Sequence, residues 1–412
     1  MGITRVRSEA VWGHLRVLFT GAALLFLINI WFGFDNALTS GGIPRWQALI
    51  HLHAGSIGWI TLSAIGIGIW VFTGSRVVSR EYERRVGLLV WTAVLVFAGY
   101  IPNFWLGFSR GDGPLVALLP VFGSLAVIVL WVSAIFVLRQ LRHQEVVTTV
   151  HILASAALLV AAIGATMGAL LGLERVIGEF LPIADPDRVG VHAAMMDTYL
   201  FLVAAAIIEW AITLEARRWT RPGLAQGLAW GVAATLVPLG FLLDLLDQLL
   251  PVFGLLLLLG LVLFLGRVAW RALAIGPGAE DPTARWAFFG TAWLLVFLGL
   301  FLYAVSTGGE FDSLPSWFGA AFVHAGFVGM MTNLILGVLS ARTRERRHVV
   351  AWGEPAALWT INLGLVLFLT LEIAADVRIG ALVMGVGVLL GVGTMLLRLG
   401  ASQRTSQWER VA

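Results

Sequence analysis

Cysteine is absent from the 412 residues, and so is lysine. Without thiols the chain cannot form disulfides, iron–sulfur clusters, thiolate zinc sites or a covalently attached c-type haem. Any metal must be held by His, Met, carboxylates or backbone. Charge is scarce as well: Asp, Glu and Arg make up 12% of the chain, where soluble domains carry roughly a quarter. Apolar residues reach 59% against a usual figure of about 45–50%, more apolar surface than one globular core can hide. A soluble or secreted enzyme is excluded, and the reading is an all-α integral membrane protein of the plasma (inner) membrane. The net charge of +3 implies no nucleic-acid partner, because the arginines flank apolar segments and the lipid bilayer is the partner they address.

A helix needs about 20 apolar residues to cross a bilayer. Twelve stretches meet this: Val17–Phe34, Ala48–Phe72, Val86–Phe108, Pro114–Leu138, Val146–Leu173, Val189–Leu214, Leu224–Leu243, Leu249–Gly266, Trp286–Val305, Trp317–Leu339, Ala356–Leu371 and Ile379–Leu397. The first lacks a small-residue cleavage site and reads as a retained span. Of the 27 arginines, 22 fall in the N-terminal segment, the alternate loops such as SRVVSREYERR and RTRERRHVV, and the C-terminal tail. The opposite loops hold only Arg45, Arg110, Arg175, Arg188 and Arg378. Because Arg-rich short loops stay cytoplasmic, the expectation is twelve transmembrane helices with both termini inside.

Aligning the intramembrane histidines exposes a repeat. Leu52-His53-Ala54-Gly55 in span two, Val191-His192-Ala193-Ala194 in span six and Val323-His324-Ala325-Gly326 in span ten are separated by 139 and 132 residues. Each interval covers four spans. The expected organisation is one transmembrane domain of three pseudo-symmetric four-helix units, approximately 14–138, 146–268 and 286–399.

A titratable side chain in hydrocarbon is costly and points to function. Spans two, six and ten run in the same direction, so His51, His53, His192 and His324 share a layer roughly 6–14 Å below the outer surface. His51 and His53 are about 200° apart around the helix axis and cannot comfortably bind one ion. They serve two centres, or only one of them is a ligand. With almost no carboxylate in the layer, imidazole favours haem iron or copper over calcium or magnesium. Met195 and Met196, beyond His192, offer softer donors. Asp197 and Tyr199 continue the same helix as candidate proton donors. His14, His143 and His348 sit among arginines and read as solvated, whereas His151 opens span five and suits a cap or water-facing role.

At these motifs the chain resembles the haem–copper oxidase superfamily, and within it the NnrS family of haem- and copper-containing membrane proteins. HLHAGSIGW, His51–Trp59, is similar to the HxHxGxxGW haem-ligand signature of cbb-type oxidases, and HAGFVGMMTNLILGVLSAR, His324–Arg342, looks like the late NnrS motif. The resemblance implies b-type haem, bound non-covalently near the outer face, with His53 and His324 as the expected pair. A second centre, copper or zinc or a second haem, is then expected at His51 and His192, with Met195 and Met196 as further donors. A rival arrangement gathers His53, His192 and His324 around an ion and leaves haem to His51. The span-seven His pair of the oxidases is missing from GLAWGVAATLVPLGF, and span six lacks the acid or phenol close behind its His. Reduction of oxygen or nitric oxide at respiratory rates is therefore not expected, and Asp197 and Tyr199 are the only substitutes for the missing catalytic donor.

The resulting expectation is a haem protein that binds a small gaseous ligand such as nitric oxide or relays electrons to it from a donor. The alternatives are a repeat-built transporter with a histidine substrate or proton site, and an assembly factor without cofactor. Spans two, six and ten carry neither the broken paired segments nor the midplane carboxylate of a transporter. The topology is directly testable. Reporter fusions in RTRERRHVV and STGGEFDSLPS should report inside and outside respectively, and two inside signals would break the twelve-span reading.

Overall fold

A computed structural model of the protein describes residues 5–6, 8–39, 44–73, 78–109, 114–178, 185–212, 220–243, 245–306, 314–373 and 377–401. Hydrocarbon leaves backbone N–H and C=O groups no solvent partner, so a chain this apolar must pair them within helices. The helices are, in order, α1 Ser8–Leu38, α2 Arg45–His53, α3 Leu62–Thr73, α4 Arg80–Ser109, α5 Pro114–Gln140, α6 Thr149–Ile177, α7 Asp185–Ile212, α8 Arg221–Leu243, α9 Leu246–Phe264, α10 Trp270–Ile275, α11 Pro282–Ser306, α12 Ser316–His324, α13 Asn333–Arg342, α14 Gly353–Ile373 and α15 Arg378–Ala401. Three short π-helical segments join neighbours into continuous rods: Ala54–Thr61 between α2 and α3, Leu265–Ala269 between α9 and α10, and Ala325–Thr332 between α12 and α13.

Among the described residues, eleven rods are long and apolar enough to cross a membrane. The expected seventh span, Leu224–Leu243, is helical as α8 but is not one of those eleven. The helices overrun the apolar stretches, since a helix need not end where the lipid does. Span two and span ten are the most enclosed, with 78% of each apolar window buried.

The described helices fall into two compact units. Of the described residues, the first takes those up to 22 and those within 61–266, and the second takes those within 23–60 and 267–401. The dividing line therefore cuts α1 after Ala22 and the second span after Ile60, a partition different from three consecutive repeats. In the first unit, β1 (Arg5–Val6) and β2 (Val78–Ser79) form a two-residue antiparallel pair. His14, read from sequence as solvated, is paired with Glu83 at 2.7 Å, and Gly87 leaves room for its ring. The correction has a local cause: Glu83 lies in the first turn of α4, one turn before that glycine. His151 takes the capping role expected of it. Its Nδ1 accepts from the Thr148 backbone N–H at 3.1 Å, completing a reciprocal cap at the start of α6.

In the second unit, α14 and α15 approach backbone to backbone, because Gly364, Gly380 and Gly387 each face the main chain of the other helix. At one end of this pair lies a buried ion pair. Arg398 is 1% exposed and donates to Glu354 at 2.5 Å. The other oxygen of Glu354 accepts from the Trp286 indole N–H at 3.0 Å and from the Ser340 hydroxyl. The remaining Arg398 N–H groups reach the carbonyls of Val349 and Arg347 at 3.2 and 3.3 Å. Val350, a β-branched residue at a φ of 51°, sits in this anchored turn, a conformation that persists only where the surroundings over-determine it.

Removing one partner of a buried, hydrogen-bonded ion pair leaves an uncompensated charge. Arg398→Met is expected to lower stability by about 3–5 kcal/mol, measured by thermal denaturation in detergent. The Arg398→Met, Glu354→Gln double variant should recover most of that loss; a single variant as stable as the parent would show that the pair carries no such role.

Candidate functional site

The histidines of the second and tenth spans, His51, His53 and His324, lie in the second unit. His51 lies in α2 and His324 ends α12, and their rings are 6.2 Å apart between centroids at an interplanar angle of 33°. Each ring is oriented through Nδ1. In His51, Nδ1 meets the Asn29 carbonyl of α1 at 3.0 Å; in His324, it meets the Ala320 carbonyl one turn back in its own helix at 2.8 Å. A carbonyl can only accept, so each Nδ1 carries the proton and Nε2 is the nitrogen left with a lone pair. The His324 ring also packs on Phe368, with centroids 4.6 Å apart. Gly33 adjoins the His51 ring, where an added Cβ would come within 3.1 Å of Cε1.

His53 was expected beside His324, and the ring recorded there is His51. The 200° turn between the two histidines separates their surroundings. His53 directs Nδ1 to the Leu49 carbonyl of its own helix at 2.7 Å. Immediately after His53 and His324 the helix changes character in the same way, with π-helical segments of eight residues, AGSIGWIT and AGFVGMMT. Such bulges are rare and frequent at functional sites. The likeness of spans two and ten is therefore present in the backbone as well as in the motif. Span six carries no π-helical segment in its described residues.

Below the pair, the two π-helical segments are tied together. The Trp59 indole N–H donates to the Thr332 hydroxyl at 3.2 Å, and Thr332 in turn donates to the Phe327 carbonyl at 2.9 Å. Trp59 stacks flat on Phe26, with centroids 4.8 Å apart. Met330 and Met331 are fully buried within the second segment and fill the core there.

His192 belongs to the first unit. Its Nδ1 meets the Gly164 carbonyl of α6 at 2.7 Å, and Gly168 one turn on lies against its ring. Met195 is buried and Met196 directs its sulfur toward Gly164. Asp197 is half-buried on the same helix, and the buried Tyr199 hydroxyl donates to Thr61 at 3.4 Å. Among the described residues, no three His, Asp or Glu side chains come together as a group able to hold a metal ion. His143 and His348 are exposed, as expected.

Two residues at this site gave no signal in the sequence reading, Asn29 and Thr332. A double-mutant cycle on Trp59→Phe and Thr332→Val should give a coupling of about 0.5–1.5 kcal/mol, read from thermal stability. A coupling of zero would mean that the two π-helical segments are not tied through this bond.

No family model matches the chain. Part of it is similar to a protein of Halomonas elongata described as a probable peptidoglycan glycosyltransferase FtsW, with 27% identity over 196 residues. That region is 45% of this chain and 49% of the other, so the chain spans about half the length of the curated relative it matches. With eleven helices long and apolar enough to cross a bilayer, the chain is an integral, multi-pass membrane protein.

Proposed function

We propose that this protein holds a b-type haem between His51 and His324 and uses it to pass electrons. The observation that carries the reading is the pair of imidazoles 6.2 Å apart, each with Nδ1 committed to a backbone carbonyl. His51 and His324 would hold the haem iron through Nε2, since Nδ1 of each ring is already committed. A bare ion would need three or four protein donors, whereas haem would bring most of the donors to its iron and would need only two imidazoles from the protein. The donor set therefore fits haem better than a lone copper or zinc ion. Metal-bound histidine almost always donates its second ring N–H to a carbonyl or carboxylate, and both rings here do so.

When bound, the haem supplies one-electron redox chemistry. The chain's own residues do the rest. Asn29 and Ala320 fix the two tautomers, Phe368 packs one ring, and Gly33 leaves the other room. Two imidazoles that would both hold the iron favour electron relay over capture of nitric oxide or another gas. In this reading His53 is not an axial ligand, and His51 is not free for a copper or zinc centre with His192, Met195 and Met196. Asp197 and Tyr199 have no reacting group to serve as proton donors.

The test is spectroscopic. Purified protein should be red and show a sharp α-band on reduction. His51→Ala and His324→Ala should each abolish that band while the protein stays in the membrane, and His53→Ala should keep it. Loss of the band in His53→Ala with retention in His51→Ala would restore the pairing of His53 with His324. A colourless protein with no bound iron would overturn the haem reading and favour the transporter alternative.

A further inference from the structure

We infer that Asn29 is the positioning residue that holds His51 in ligand geometry, an inference that rests on the haem reading above. The two residues are 22 positions apart on different helices and are joined twice. The Asn29 side-chain amide donates to the His51 backbone carbonyl, and the His51 side chain donates to the Asn29 backbone carbonyl. Each bond thus ties one residue's side chain to the other's main chain, so neither the helices nor the ring can turn without breaking one of them.

Space for this arrangement is built symmetrically. Four residues after Asn29 stands Gly33, where a Cβ would come within 3.1 Å of His51 Cε1; four residues after His51 stands Gly55, where a Cβ would come within 2.7 Å of the Asn29 amide nitrogen. One helical turn separates each residue from the glycine that admits its partner. An amide in hydrocarbon must be paired, and Asn362 meets that need with the Leu358 carbonyl of its own helix and the side chain of Asn333, not with a main chain on another helix. Asn29 instead reaches across to the main chain of the histidine.

Among the described residues His324 has no such clamp, and its Nδ1 bond closes within its own helix. The orientation of His51 is therefore the one that depends on a residue elsewhere in the chain. The arrangement fixes the Nδ1–H tautomer, the ring rotation and the height of α2 against α1 at once, all of which a ligand bond through Nε2 requires.

The experiment compares purified parent, Asn29→Leu and Asn362→Leu. The first variant removes the amide donor with little change of volume; the second removes a buried amide of the same unit away from the histidines. Readouts are haem content, iron spin state and carbon monoxide binding by the reduced protein. The parent should be low-spin and unreactive to carbon monoxide. Asn29→Leu should either lose haem or show several-fold more high-spin, carbon monoxide-reactive haem, while Asn362→Leu lowers thermal stability without changing the spectrum. Should Asn29→Leu fail to accumulate, Asn29→Ala is read by the same criteria. A low-spin parent whose Asn29 variants are equally low-spin and unreactive would overturn this inference alone, as would an equal spectral change in Asn362→Leu. A parent without haem would overturn the haem reading and this inference with it.

Discussion

Inside hydrocarbon no water remains to take a hydrogen bond, so every polar group carried into these helices must find its partner in the protein. The polar side chains of the second unit are arranged by that demand. Asn333 and Asn362 exchange amide bonds, and the Asn362 amide oxygen also accepts from the Trp293 indole N–H. Glu354 is surrounded by the donors of Arg398, Trp286 and Ser340. The histidines meet the same demand: His51, His53, His192 and His324 each commit Nδ1 to a backbone carbonyl. A side chain added only to fill space would not be a histidine, and four rings with the same nitrogen committed share the tautomer that presents Nε2.

What could be read from the sequence was what repeats along it. Apolar runs of membrane length located the helices because hydropathy is a local sum, and the described helices contain or closely bracket the expected spans, as α4, Arg80–Ser109, does for Val86–Phe108. The likeness between His53-Ala54-Gly55 and His324-Ala325-Gly326 was legible because identical short motifs impose identical local backbone, and both are followed by a π-helical segment ending in Thr. The third member of the set, around His192, shares the His-Ala but has Ala194 in place of the glycine, and among the described residues it has no π-helical turn.

The unread part consists of single residues whose partners lie far away in sequence. Arg398 was grouped with the cytoplasmic arginines that set topology, yet it is 1% exposed and paired with Glu354, 44 positions earlier. Asn29 is one amide in an otherwise apolar run, with no period to reveal it and a partner 22 positions on. His14 looked solvated because its neighbours are charged, whereas its partner Glu83 arrives from another helix. Periodicity reports which face of a helix is buried; it carries no information about which polar atom waits on the opposite helix.

The same distinction bears on His51, which lies beside His324 although the repeat aligns His53 with it. The repeat aligns His53 with His324, and equivalence in a repeat invites the inference that equivalent residues meet. Equivalence fixes local backbone, however, and two elements with the same backbone need not present the same residue to each other. His51 and His53 point about 200° apart around the helix, so at most one of them can turn toward a given neighbour, and the choice falls to whatever else holds that helix. Here the reciprocal bonds to Asn29 orient His51, while His53 closes its bond within its own turn. His51, which stands outside the repeated motif, thus lies beside His324, and its ring and main chain are both tied to an amide residue on α1.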